Sequence, residues 1–144
     1  MPKSDLVGVW QLESLELRSA DGQKTFPMGP DAKGYISYNE DGFMSVAIMQ
    51  QGRKPFNSND IRGGTMEEQA EAAAGYLSYC GTYEVKQRQV VHHIEVSLFP
   101  NWISVDQIRS YEIEGDRLTL STQPFLVAGK EQTAHLLWRP RHQK

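Results

Sequence analysis

The sequence has a single cysteine, Cys80, among its 144 residues, so no internal disulfide can form. The first residues also lack the basic, apolar and small-residue order of a signal peptide, and together these absences give the expectation of a cytoplasmic protein. Apolar runs are short, far below the ~20 residues that a membrane-spanning helix needs, so no membrane partner is expected. Basic residues do not cluster beyond Arg139-Pro140-Arg141. The 15 Lys and Arg against 18 Asp and Glu leave a formal charge of −3, which argues against nucleic acid as a main partner. Phosphate-loop and serine-hydrolase signatures are missing: Gly63-Gly64 precedes a helical pattern but lacks the lysine and spacing of a P-loop. His92 and His93 are adjacent in a strand pattern and point to opposite faces, so no metal site is expected from them, and no cofactor is expected.

What remains is a repeated pattern of short strands closed by turn signals. Val7 to Arg18 stops at Asp21-Gly22; Gly34 to Asn39 and Phe43 to Met49 flank Glu40-Asp41-Gly42; Gly81 to Lys86 and Gln89 to Leu98 are joined through Gln87-Arg88. Gln107 to Glu114 and Arg117 to Thr122 flank Gly115-Asp116, and a last strand runs from about Gln132 to Arg139. Short connections force antiparallel neighbours, because a parallel pair needs a crossover of about a dozen residues. Eight strands in an up-and-down meander can close on themselves, removing exposed edges and leaving room for one small ligand. The expectation is an all-β, eight-stranded antiparallel barrel forming one domain over residues 1–144.

One segment departs from this pattern. Thr65-Met66-Glu67-Glu68 is a capping box leading into an alanine-rich run, which predicts one inserted helix over about 65–79. Met66, Ala70, Ala73, Ala74 and Leu77 would form its barrel-facing stripe, and the loop Gln50 to Gly64 before it has the length and composition of a lid or rim.

Strand parity assigns the faces. Ser110, Glu112 and Glu114 make one polar face, leaving Gln107, Arg109, Tyr111 and Ile113 inward. A two-residue turn pairs Val85 with Val90 and Tyr83 with His92, so Val90, His92, Ile94, Val96 and Leu98 face in; a one-residue slip would put His93, Glu95 and Ser97 there instead. Ile36, Tyr38, Met44, Val46, Ile48, Leu118, Leu120, Leu136 and Trp138 complete the interior. A solid core does not normally contain an arginine, since an unpaired buried guanidinium costs several kcal/mol. Arg109 must be paired, with a carboxylate such as Glu95, or hydrated, or in contact with a ligand. The candidate ligand-binding set is therefore Tyr38, Met44, Tyr83, His92, Gln107, Arg109, Tyr111 and Trp138. Cys80 reads as a small buried filler with no basic neighbour to activate it.

Several motifs carry a resemblance. Gly8-Val9-Trp10 looks like the Gly-x-Trp signature of calycin and lipocalin barrels. Gly34-Tyr35-Ile36-Ser37-Tyr38 running into Asp41-Gly42-Phe43-Met44, then Tyr83-Glu84-Val85, Val90 to Glu95, Pro100-Asn101-Trp102, Gln107-Ile108-Arg109, Gly115 to Leu120 and Leu137-Trp138-Arg139 follow in order. Over about Leu6 to Arg139 the chain resembles the bacterial and fungal lipocalin-like domain family. The resemblance implies an eight-stranded barrel with a helix inserted midway, and carriage of hydrophobic small molecules, with some relatives acting as cyclases or isomerases. It also implies a structural role for Trp10 across the closed end, beneath an arginine for which Arg139 is the candidate. The missing signal and disulfide set this chain apart from secreted carriers.

Three functions follow as expectations. The first is binding of a small hydrophobic or amphipathic molecule in the barrel. The second is a cyclase or isomerase in which His92 exchanges a proton while Arg109 or Tyr83 stabilises an oxyanion. The third is an inert barrel acting through its surface as a homo-oligomer.

Overall fold

The computed structural model describes residues 5–141. Its main strands are β1 (Gly8–Ser19), β3 (Lys33–Tyr38), β4 (Phe43–Met49), β5 (Tyr76–Lys86), β6 (Gln89–Ser97), β7 (Asp106–Glu114), β8 (Arg117–Thr122) and β10 (Lys130–Pro140). Each pairs antiparallel with the next, and β1 also pairs with β10, from Trp10 opposite Pro140 to Ser19 opposite Gln132, which closes the ring. The sequence pattern did not reveal two short strands, β2 (Lys24–Thr25) and β9 (Phe125–Val127), which hang on β1 and β10 outside the eight-membered ring. Alternation is clean on most strands, as in Phe43–Met49, where Met44, Val46 and Ile48 are buried and their neighbours are not.

The predicted helix exists but is shorter. It spans Met66–Ala74 as α1 and ends at Gly75; Tyr76, Leu77 and Tyr79 belong instead to β5, where they pair with Met49, Ile48 and Val46. Aromatic and apolar residues that pair with a neighbouring strand gain more there than in a further helical turn. The capping box is present: Thr65 Oγ1 accepts from the Glu68 amide at 3.0 Å and Glu68 Oε1 accepts from the Thr65 amide at 2.9 Å. The expected barrel-facing stripe is not. No residue of α1 is buried and Met66 is 87% exposed, because the helix leans on the 50–57 loop rather than on the barrel wall.

Strand β5 carries a second departure. Pairing with β6 shifts between Cys80 and Gly81, so Gly81 faces Ile94 while Cys80 faces Val96. A Cβ at Gly81 would lie 2.0 Å from the His93 carbonyl oxygen, so only glycine allows this approach. Up to the bulge, the expected register holds, with Tyr83 opposite His92 and Val85 opposite Val90. Beyond it, Val96 and Leu98, expected inward, are exposed.

The three tight connections 39–42, 87–88 and 115–116, and the place where the end of β10 meets the start of β1, lie at one end of the ring, while the segments 20–32, 50–75, 98–105 and 123–129 lie at the other. At the tight-turn end the interior is filled by Leu6, Trp10, Met44, Tyr83, Val90, Tyr111 and Leu118, all buried. Trp10 Nε1 donates to the Leu6 carbonyl at 2.9 Å. Arg139 does not cover Trp10: it sits opposite Gln11 on the outer face and approaches Glu13 at 3.7 Å, because Trp138 takes the inward parity.

Candidate functional site

At the long-loop end the barrel is hollow. A cavity of about 240 Å³ is walled mainly by apolar side chains, among them Leu15, Ile36, Ile48, Leu120 and Leu136, and reached by His92, Tyr79, Arg109, Thr122 and Trp138. Pro27, Met28, Trp102, Phe125 and Val127 form its rim. Trp102 is positioned by the 3-10 turn Pro100–Trp102 and meets Tyr79 edge-on at 5.8 Å. A smaller vestibule of about 120 Å³ adjoins the cavity and shares Trp102, Arg109, Thr122 and Phe125 with it, adding Gln107 and Asp106. Arg109 therefore stands where the apolar chamber meets a polar antechamber. The 50–64 loop, expected as a lid, is absent from both linings. It is tied to α1 instead, with Arg53 Nη1 donating to the carbonyls of Ala72 and Gly75 at 3.2 and 2.9 Å. A wide depression along Lys86–Gln89 and Ser110–Glu114 lies on the outside of the closed end, lined mostly by exposed polar and charged side chains.

The floor of the cavity is a buried polar triad. His92, 1% exposed, is held at both ring nitrogens: Tyr38 hydroxyl to Nε2 at 2.7 Å and Tyr79 hydroxyl to Nδ1 at 2.7 Å. Burial, with the Arg109 and His93 charges nearby, holds the His92 imidazole well below its ordinary value, so it is neutral. One nitrogen then donates and the other accepts. Burial also raises the Tyr38 and Tyr79 phenols, an effect that Arg109 opposes at both. His93 takes the opposite face, and its hydrogen bond to Asp106, 2.7 Å from Nδ1, raises its pKa.

Arg109 is 9% exposed and has no carboxylate within 4.0 Å among the described residues, so of the alternatives open to it, pairing with a carboxylate such as Glu95 is not the one made. Its Nη1 donates to Gln107 Oε1 at 3.2 Å and to the Ile108 carbonyl at 3.5 Å. Trp138 is fully buried, and its Nε1–H has no partner among the described residues.

The sequence-derived set thus divides. His92, Arg109 and Trp138 reach the cavity, Gln107 lines the vestibule, and Tyr38 stands behind His92. Met44, Tyr83 and Tyr111 are part of the packed closed end, and the Tyr83 hydroxyl donates to the Asn39 carbonyl at 2.7 Å, turned away from His92. Tyr83 packs edge-on against Tyr38 at 4.9 Å. Tyr79 is not in the sequence-derived set, since the expected helix of about 65–79 includes it; its alternation with Leu77 and Gly81 is the signal that places it on a strand.

A model of the family described as lipocalin-like domain matches residues 7–141. The 4'-hydroxy-3'-methoxypropiophenone carrier protein ppsC of Aspergillus oryzae is 38% identical over 105 residues, covering 67% of this chain and 95% of that protein. With the closed eight-stranded antiparallel ring and its inserted helix, this chain belongs to the lipocalin-like domain family.

Proposed function

We propose that this protein carries one small amphipathic molecule, most of it apolar, in the hollow half of its barrel, with His92, Tyr79, Arg109 and Trp138 as the polar contacts. The carrying observation is the 240 Å³ apolar cavity with a buried, carboxylate-free arginine in its wall. An apolar cavity of about 150 Å³ holds benzene. The space here therefore suits a single substituted ring rather than a fused-ring or long-chain lipid. The relative's named cargo, a substituted phenyl ketone, is of that size and polarity, which supports an aryl compound as ligand. Both nitrogens of His92 are already engaged by tyrosines, so neither is free to take a proton from a bound molecule, and this weighs for carriage over a cyclase or isomerase. No helix among the described residues is long and apolar enough to cross a membrane. A lone Cys80 suits a reducing, cytoplasmic setting.

The test is extraction of the purified protein with organic solvent, identification of co-purified compounds by mass spectrometry, and fluorescence titration with 4'-hydroxy-3'-methoxypropiophenone. A single-ring compound at near-equimolar yield, or saturable quenching, is expected. An empty extract together with no quenching by any aryl ketone would sink the reading.

A further inference from the structure

The polar side chains at the cavity are unbalanced in a way that specifies the ligand's polar end. Trp138 Nε1–H, fully buried in the wall, is a donor with no acceptor among the described residues. Arg109 carries five donors and no acceptor, and the hydrogen bonds it makes to Gln107 and Ile108 both leave from Nη1. Thr122 Oγ1 accepts from the Ala134 amide at 2.9 Å, and its hydroxyl proton is available to donate. His92 has both nitrogens occupied, and the Tyr79 oxygen lies beside the Arg109 guanidinium. The Arg109 guanidinium and the Trp138 indole can only donate, and the stronger of the two is a cation with no carboxylate within 4.0 Å among the described residues. A neutral ligand rich in donors would leave these groups unpaired in a low-dielectric space, while an oxyanion would satisfy them and neutralise Arg109.

Resting on the carrier reading above, we infer that the cavity holds an aromatic weak acid as its conjugate base, the phenolate or carboxylate oxygen taking the place of the missing counter-ion of Arg109. The ring lies among the aliphatic wall residues, and the charged oxygen sits at the boundary with the vestibule, where Arg109 and Gln107 meet. Both source chemistries share this oxyanion, and the choice between them is made by experiment.

Two matched pairs of single-ring probes test it: 4-nitrophenol against 4-nitroanisole, which cannot ionise, and benzoate against benzamide. The first phenol absorbs in the visible only as phenolate, so its ionisation when bound is read directly. An opposite charge at contact distance lowers an acid's pKa by about one unit or more. The expected results are a bound 4-nitrophenol whose midpoint lies at least about one pH unit below that of the free phenol, and at least about tenfold tighter binding of one oxyanion than of its neutral partner. The pair that shows the preference names the source. Arg109→Gln abolishes the colour shift and the preference, Arg109→Lys retains part of both, and thermal melts of the two variants verify that the barrel is folded. Neutral partners that bind as well as the oxyanions, with the nitrophenol pKa unshifted, would overturn the anion assignment and leave the carrier reading standing. Failure of all four probes to bind wild type would overturn both.

Discussion

The two ends of the barrel use the same eight strands, yet one end is solid and the other hollow, and the difference begins in the connections. At the solid end the turns at 39–42, 87–88 and 115–116 are tight, and large side chains such as Trp10, Tyr111 and Met44 fill the cross-section. At the hollow end the connections run through β2, α1, the 3-10 turn and β9, and they contribute rim residues such as Pro27, Trp102 and Phe125 that cap the space without filling it. His92 and its two tyrosines mark the boundary. The triad satisfies its own polar atoms while limiting how deep a ligand reaches, so the packed end supplies stability and the loop-bearing end is left free to bind. Separating the two tasks along one axis explains how a chain of 144 residues has both a core and a cavity.

The sharpest way to break this division is at Gly81, where β5 passes from the hollow half to the packed half opposite the bulge that Glu95 makes in β6. Gly81→Ala sets a methyl against the His93 carbonyl, backbone that cannot rotate away. A loss of about 3 kcal/mol or more is expected, read from denaturant unfolding. Next come two neighbours on one face of β8. Leu118 is fully enclosed in the packed end, and Leu120, almost as buried, borders the cavity. Leu118→Ala should cost about 3–5 kcal/mol. Leu120→Ala should cost about 1 kcal/mol less, because a side chain beside empty space already lacks contacts on that side, and it should improve binding of bulkier rings. Equal losses at the two sites would mean that the halves are packed alike.

Much of the fold was legible in the sequence because strand period and tight turns are local signals. The alternation in Phe43–Met49, the turn at Gln87-Arg88 and the capping box at Thr65 each needed only a few residues. Long-range choices were harder to read. The alanine-rich run continues a helical pattern through Tyr79 and hides a strand whose gain comes from pairing with β4. Val96 was turned inward because no single-strand pattern reveals a bulge that depends on Gly81 opposite. Parity places His92 and Arg109 at the cavity, but it puts Met44, Tyr83 and Tyr111 on the same face because it gives the face and not the depth. Depth was available from another signal: alternating short and long connections place every long loop at one end.

The boundary triad gives the third prediction, in pH. His92 is held below its unfolded value near 6.5, so above that pH both folded and unfolded states are neutral and the protein keeps its full stability. As pH falls below about 6.5 the unfolded chain takes up a proton that the folded state refuses, and stability decreases by up to about 1.4 kcal/mol per pH unit until the folded value is reached. His135, also lowered by burial, adds to the same slope. His93 works the other way: raised by Asp106, it favours the folded state at low pH and loses that contribution as pH rises through its folded value. His92→Phe should be less stable at pH 7.5, with Tyr38 and Tyr79 deprived of their bonds, but its stability should vary less between pH 6.5 and 5. A variant as steep as wild type would show that the acid response lies outside the triad.

The smallest effect is expected at the helix, which belongs to the hollow end by position but not by contact. Thr65→Ala removes one of two reciprocal caps and should destabilise the helix by about 1 kcal/mol. Because α1 buries no residue and the cavity lining contains none of its side chains, that loss should remain local. Amide exchange across Met66–Ala74 should quicken about fivefold, by the RT-scaled equivalent of ~1 kcal/mol. Global unfolding and ligand affinity should stay within error of wild type. If affinity fell in step with the exchange, α1 would have to be counted as part of the rim, and the hollow end would depend on an element that touches it only through the beginning of β5.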